Sequence, residues 1–239
     1  VLRHPIFYFK MKLAALFSGG KDSTYAIYLA KKLSHSVDVL LTLYPHSSES
    51  HLLHHPNIKF TPLQAESMKI PQLIQEISST DPTTEFTKLE KLITIAKENF
   101  SIEGIVHGGI LSKYQKDNFS LICKRNNLEI ISPLWDMKPE PYMKELLEEN
   151  FEYIISSVSS DGLNDSWLGQ IIDKNRLEDL KKLQKKFEFN LNFEGGEAET
   201  FVINCPLFEK SLFIQNSTSE WDGYRGRFEI LEAELKDNA

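Results

Sequence analysis

The stretch FSGGKDST at 17–24 narrows most what this chain can fold into. It joins a strand-like apolar run at 13–17 to a run of helical spacing at 24–33. A glycine pair at such a junction lets the backbone turn tightly and aim several N–H groups one way, while the helix adds the positive end of its dipole. Alone, Gly19 and Gly20 would serve equally well to let strand and helix pack closely. The full string offers more, because Ser18 and Ser23 add hydroxyl donors, Lys21 a positive charge, and Asp22 a carboxylate able to hold Mg2+ among phosphates. A polyphosphate suits such a place. Two common phosphate motifs are excluded: the chain has Ala15 and Asp22 where G-x-x-x-x-G-K-[ST] needs glycine and a hydroxyl residue, and its adjacent glycines do not fit G-x-G-x-x-G.

Further apolar, β-branched runs at 37–43, 102–108 and 128–134 alternate with helical spacing at 85–99 and 114–126. Strand and helix in alternation predict an α/β fold, a parallel sheet covered by helices on both faces, over a first domain at 11–132. Pro133, Pro139 and Pro141 around Trp135 then mark a junction. A smaller α+β domain is expected over 133–239. Its elements are a helix at 141–149, an apolar run at 151–160, a charged helix at 173–187 whose Lys181, Lys182, Lys185 and Lys186 read as a solvated face, and strand-like pieces at 199–205, 211–217 and 227–235.

Composition excludes several classes. With 239 residues, 41% of them hydrophobic, disorder is not one of the options. A net charge of -7 gives no general attraction to phosphate backbones, so no direct nucleic-acid partner is expected. Two cysteines, Cys123 and Cys205, make neither a disulfide framework nor a Cys-x-x-Cys zinc site, which points to a reducing cytoplasm. No apolar run approaches the roughly 20 residues of a membrane span, and the opening lacks the apolar core of a secretory signal. Because Met11 directly precedes the first strand-like run, residues 1–10 read as an upstream extension of the natural start.

A second dense stretch is FEGGEAETFVINCPLF at 193–208, with Glu194, Glu197 and Glu199 around Gly195 and Gly196. If a strand has begun by Glu197, alternation puts Glu197 and Glu199 on one face, where paired carboxylates repel unless a cation sits between them. Mg2+, ammonia or a substrate ammonium would serve; a polar turn with solvated glutamates is the other reading. His51, His54 and His55 have metal-like spacing, yet Pro56 disfavours helix at His55 and no nearby acid or cysteine completes a zinc shell.

SGGKDS at 18–23 resembles the PP-loop of the ATP pyrophosphatases. Taken with 193–208, it resembles the diphthine-ammonia ligase (diphthamide synthase) family, and other segments agree in order along the chain: HLLHHPN at 51–57, LQAESMKIP at 63–71, GGILSKYQK at 108–116, PLW at 133–135 and GLNDSWLGQIID at 162–173. The resemblance covers about 11–228. It departs at Lys116, Lys88 and Ala198, where relatives carry an arginine-like base, an acid and an aromatic.

The resemblance implies an adenine nucleotide alpha hydrolase-like, Rossmann-like first domain and ATP-dependent amidation of diphthine, a modified histidine on translation elongation factor 2. Ammonium is the nitrogen donor, and diphthamide, AMP and pyrophosphate are the products of an acyl-adenylate route. It implies that Ser18, Gly19, Gly20, Lys21, Asp22 and Ser23 bind ATP, with Asp22 on Mg2+. Lys21, Asp22, Glu197 and Glu199 are then the catalytic candidates. His54, Tyr114, Gln115, Trp135, Trp167, Gly195, Gly196, Glu197, Glu199 and Thr200 are candidates for the substrate side, the tryptophans offering faces to a quaternary ammonium. Another PP-loop ligase, acting on tRNA or a small acid, and a non-catalytic ATP-binding module are the other readings. The oligomeric state stays open, a homodimer being one assembly.

Overall fold

The computed structural model describes residues 10–45, 57–77, 82–110 and 113–238. Their first half runs β1 (Lys12–Leu16), α1 (Lys21–Lys32), β2 (Ser36–Pro45), α2 (Thr61–Met68), β3 (Gln72–Ile77), α3 (Pro82–Phe100), β4 (Gly104–Val106), α4 (Lys113–Arg125) and β5 (Glu129–Ile131). The five strands form a parallel sheet in the order β3-β2-β1-β4-β5.

Side chains of a strand alternate between faces, and both faces here are dry. Leu13 and Ala15 of β1 and Leu40 of β2 enter one apolar cluster with Tyr25, Ala26, Ile27 and Ala30 of α1. Ala14, Val39, Leu41 and Leu43 enter the other, with Leu89, Leu92, Ile93 and Ala96 of α3 and Ile122 of α4. The doubly covered sheet is therefore the one the sequence predicts. Two of its elements are additions: β3 lies at the sheet edge and mixes polar with apolar residues, and α2 is only eight residues long.

The second half comprises α5 (Pro139–Glu148), β6 (Glu152–Val158), α6 (Lys174–Phe187), β7 (Ala198–Asn204), β8 (Lys210–Trp221) and β9 (Gly226–Asp237). Its strands form an antiparallel sheet in the order β7-β6-β9-β8. Helix α5 begins at Pro139, earlier than its spacing suggests, because proline is tolerated in a first turn. Asp173 caps α6 by accepting from the Arg176 N–H at 2.8 Å. One face of this sheet joins the core of the first half, so Tyr142, Met143, Tyr153, Ile155 and Val202 share a cluster with Leu13, Phe17 and Tyr25. Helix α1 lies within that shared core, and its N-terminus carries the glycine loop.

Candidate active site

The chain leaves β1 for β2 on one side and returns as β4 on the other, so the loops after β1 and β4 flank the switch point where open α/β sheets bind ligands. They meet closely there: a Cβ added to Gly108, just past β4, would lie 2.5 Å from the Asp22 carbonyl and 2.7 Å from the Ser23 nitrogen. Glycine at 108 is what lets the two backbones touch. Beside it His107 accepts from the Gly109 N–H through Nδ1 at 3.1 Å, which leaves Nε2–H to donate to the Ser132 hydroxyl at 2.6 Å. That ties the end of β4 to the end of β5.

The loop itself is clamped from the second half. The Gly19 carbonyl accepts from the Val202 N–H of β7 at 2.9 Å and from the Gln64 amide of α2 at 3.0 Å, and the same Gln64 nitrogen reaches the Val202 carbonyl at 2.7 Å. In a trans peptide, turning a carbonyl one way turns the next N–H the other. Gly19 makes this turn at φ +81°, a conformation that favours glycine. The Gly20 N–H thus faces away from β7. A chain of hydroxyls braces the turn, Ser18 Oγ lying 3.2 Å from Ser23 Oγ, which in turn donates to the Gly20 carbonyl at 3.1 Å. The Lys21 N–H at the start of α1 is capped by Thr200 Oγ1 at 3.2 Å. Among the described residues the N–H groups of Gly20, Asp22 and Ser23 carry no hydrogen bond, and they stand at the positive end of α1.

Lys21 is 2% exposed, unusual for an ammonium, and its partners explain how it is tolerated. Its Nζ donates to both Asp22 carboxylate oxygens at 2.9 Å and to the Asn192 carbonyl at 2.8 Å, with the rings of Phe193 and Tyr142 at 5.5 and 5.8 Å. Tyr142, fully buried on α5, donates its hydroxyl to Asp22 Oδ1 at 2.6 Å. Burial first, then the Asp22 charge, pushes the Tyr142 phenol well up, so it stays a donor. The Asp22 side chain keeps 32% of its surface exposed.

The second motif also meets this loop: Thr200, and Asn192 just before the motif, reach it as just described. Glu197 has another task, because its carboxylate accepts from the Asn190 N–H, the Asn190 side-chain amide and the Gly195 N–H, each at 2.8 Å. It braces the turn that carries Asn192, and β7 begins only at Ala198. Glu199 lies opposite Ser157 of β6. Gly196 bends at φ +80° and its carbonyl accepts from the Ser159 hydroxyl at 2.6 Å.

Other candidates are placed elsewhere. Trp167 is 8% exposed, its indole packed within the shared core. Trp135 is half-buried after β5. Tyr114 and Gln115 fall on the first turn of α4, their side chains outside the described residues, as are His51, His54 and His55. No group of three metal-ligating side chains forms among the described residues. Tyr142, Gln64, Gly108 and Asn192 carry no signal of their own in the sequence, apart from the glycine and glutamine lying in resembling segments.

Fold and site together define a class: an α/β protein with a glycine-rich loop at its sheet's switch point, closed by a second, antiparallel sheet. The chain belongs to the diphthamide synthase family, whose N-terminal domain model matches residues 11–130 and whose C-terminal domain model matches residues 138–235. Relatives named diphthine-ammonia ligase include the Bos taurus and Homo sapiens proteins, each 33% identical over 225 residues, spanning 87% of this chain and 84% of the relative. The Danio rerio protein is 30% identical over 222 residues, spanning 85% and 86%. A solved structure titled as a predicted subunit of a tRNA methyltransferase from Methanocaldococcus jannaschii covers 82% of this chain at 15% identity and a TM-score of 0.41, a level at which the likeness carries no argument.

Proposed function

We propose that this chain is a ligase that amidates diphthine on translation elongation factor 2 with ammonium, using ATP and releasing AMP and pyrophosphate. The observation that carries this reading is that Thr200 of the second motif and Asn192, one residue before it, close on Lys21 of the first. Nucleotide and acid groups would thereby meet in one place. A carboxylate is a poor acceptor because its leaving group would be oxide, and adenylylation gives it AMP to expel.

In this reading the carboxylate of diphthine attacks the α-phosphorus of ATP, pyrophosphate leaves, and ammonia displaces AMP. The N–H groups of Gly20, Asp22 and Ser23 and the turn made by Ser18 and Gly19 receive the phosphates, and Lys21 supplies positive charge where pyrophosphate departs. Asp22 fits Mg2+, being a hard oxygen ligand and part-exposed, as suits an ion that arrives mostly hydrated on its nucleotide. Mg2+ bound there would offset charge on the phosphates. Glu199, Gly195, Gly196 and Trp135 are assigned to the diphthine and ammonium side, with His54, Tyr114 and Gln115 as further contacts. Glu197 holds the loop that presents them. We place the protein in the cytoplasm, a setting supported by two buried, unpaired thiols that burial pushes up to about 11 at Cys123 and about 12 at Cys205. No described helix is long and apolar enough to cross a membrane.

The test incubates the protein with ATP, Mg2+, ammonium and diphthine-bearing elongation factor 2. AMP release with a loss of about one mass unit on the modified histidine peptide is expected, as carboxyl OH becomes NH2. Absence of both AMP release and the mass change would overturn the reading.

A further inference from the structure

Asn192 is 1% exposed, yet among the described residues neither its Nδ2 nor its Oδ1 has a hydrogen-bond partner. A buried carboxamide with both ends unpaired is costly, and such a group calls for a partner from outside the chain, whether ligand, ion or water. Its place in the fold says which ligand. The Asn192 backbone carbonyl is held by Lys21 Nζ at 2.8 Å, which sets this residue against the glycine loop. The next residue, Phe193, sits at φ +64°, a strained conformation for a bulky side chain, with its ring 5.5 Å from Lys21 Nζ. Unpaired polarity and backbone strain thus coincide at one point, which Glu197 braces through Asn190 and Gly195.

An amide offers an acceptor and a donor side by side. Resting on the amidation reading above, we propose that the Asn192 carboxamide is a substrate-binding group of the amidation step, Oδ1 accepting from the incoming nitrogen and Nδ2 donating to the acyl oxygen. Ammonium first gives up a proton to become ammonia. The nitrogen lone pair then forms the C–N bond, the C–O bond to AMP breaks with its electrons passing to the AMP oxygen, and one N–H proton leaves to water. Charge builds on the acyl oxygen as the nitrogen adds, where Nδ2 would meet it. Neither a carboxylate nor an ammonium could serve both atoms.

Asn192→Ala and the isosteric Asn192→Asp, which keeps the acceptors and loses the donor, separate the two half-reactions. Exchange of labelled pyrophosphate into ATP, dependent on diphthine-bearing elongation factor 2 and run without ammonium, reports adenylylation alone. Amide formation against ammonium concentration reports the second step. The expected result is amide formation down about 100-fold in both variants, as for loss of one oxyanion donor, with exchange within about 3-fold of wild type. A parallel fall in both rates, or no fall in either, overturns the proposal while leaving the ligase reading intact. Wild-type protein without diphthine-dependent exchange removes the ligase reading and this proposal with it. Should Asn192→Ala melt below the assay temperature, Asn192→Asp decides on the same two rates.

Discussion

Tyr142→Phe tests whether the second half positions the loop chemistry or merely packs against it. The substitution removes one hydroxyl and leaves the buried ring, so no cavity opens. What is lost is a hydrogen bond of 2.6 Å to the Asp22 carboxylate, donated from a fully buried phenol. Hydrogen bonds to charged groups contribute about 1.5–3 kcal/mol. Two facts place this one near the lower end: Asp22 keeps a third of its side-chain surface in water, and Lys21 still holds both its oxygens. A loss of about 1–2 kcal/mol corresponds to a fall in Tm of roughly 2–8 °C for a chain of this size. If the same bond holds Asp22 where ATP needs it, kcat/KM for AMP formation falls about 5- to 30-fold, since each 1.4 kcal/mol is a factor of ten. Thermal melting and AMP release from one preparation give both numbers. A lowered Tm with unchanged kcat/KM would refute the catalytic coupling and leave Tyr142 a structural residue.

Gly108→Ala drives a methyl into the Asp22 backbone, and an overpacked core costs about 1–3 kcal/mol; a melt within about 1 °C of wild type would show that the two loops part freely. Asp22→Ala is expected to abolish AMP formation and also to lower Tm, because it strips a buried ammonium of its carboxylate; normal AMP output would exclude a role in nucleotide binding. Glu140, at the start of α5, is held down at about 2 by Lys181 and then Lys144. Since its folded value lies below the ordinary 4.5, its stabilising effect is full above that pH and is lost as pH falls towards 2. The Tm difference between wild type and Glu140→Gln should therefore close across that interval, and a difference that persists at pH 2 would assign the effect to something other than charge.

Much of this was legible because local chemistry decided it. The GG turn, the β-branched runs and the alternation of strand with helix each act within a few residues, so the parallel sheet could be read directly. Helix α1 starts at Lys21 rather than at 24 because its cap comes from Thr200, 179 residues away, and no local pattern announces that. Glu197 looked like half of a carboxylate pair, but the turn at Gly195 curls its donors back onto it. The depth of Trp167 was not legible, because the core it packs in is shared between the two halves. Tyr142 and Asn192 were invisible for one reason: a tyrosine on an amphipathic helix and an asparagine in a turn are unremarkable until the fold brings Lys21 to them.

The burial of Lys21 also sets a timetable. Its carbonyl partner Asn192 lies 171 residues downstream. At the usual 5–20 residues per second of synthesis, the lysine leaves the ribosome on the order of 10–35 s before that partner exists. For that interval its charge must stay in water, so the glycine loop cannot take its final form while the first sheet is being made. The glycine loop of the first half is thus completed by residues of the last third of the chain.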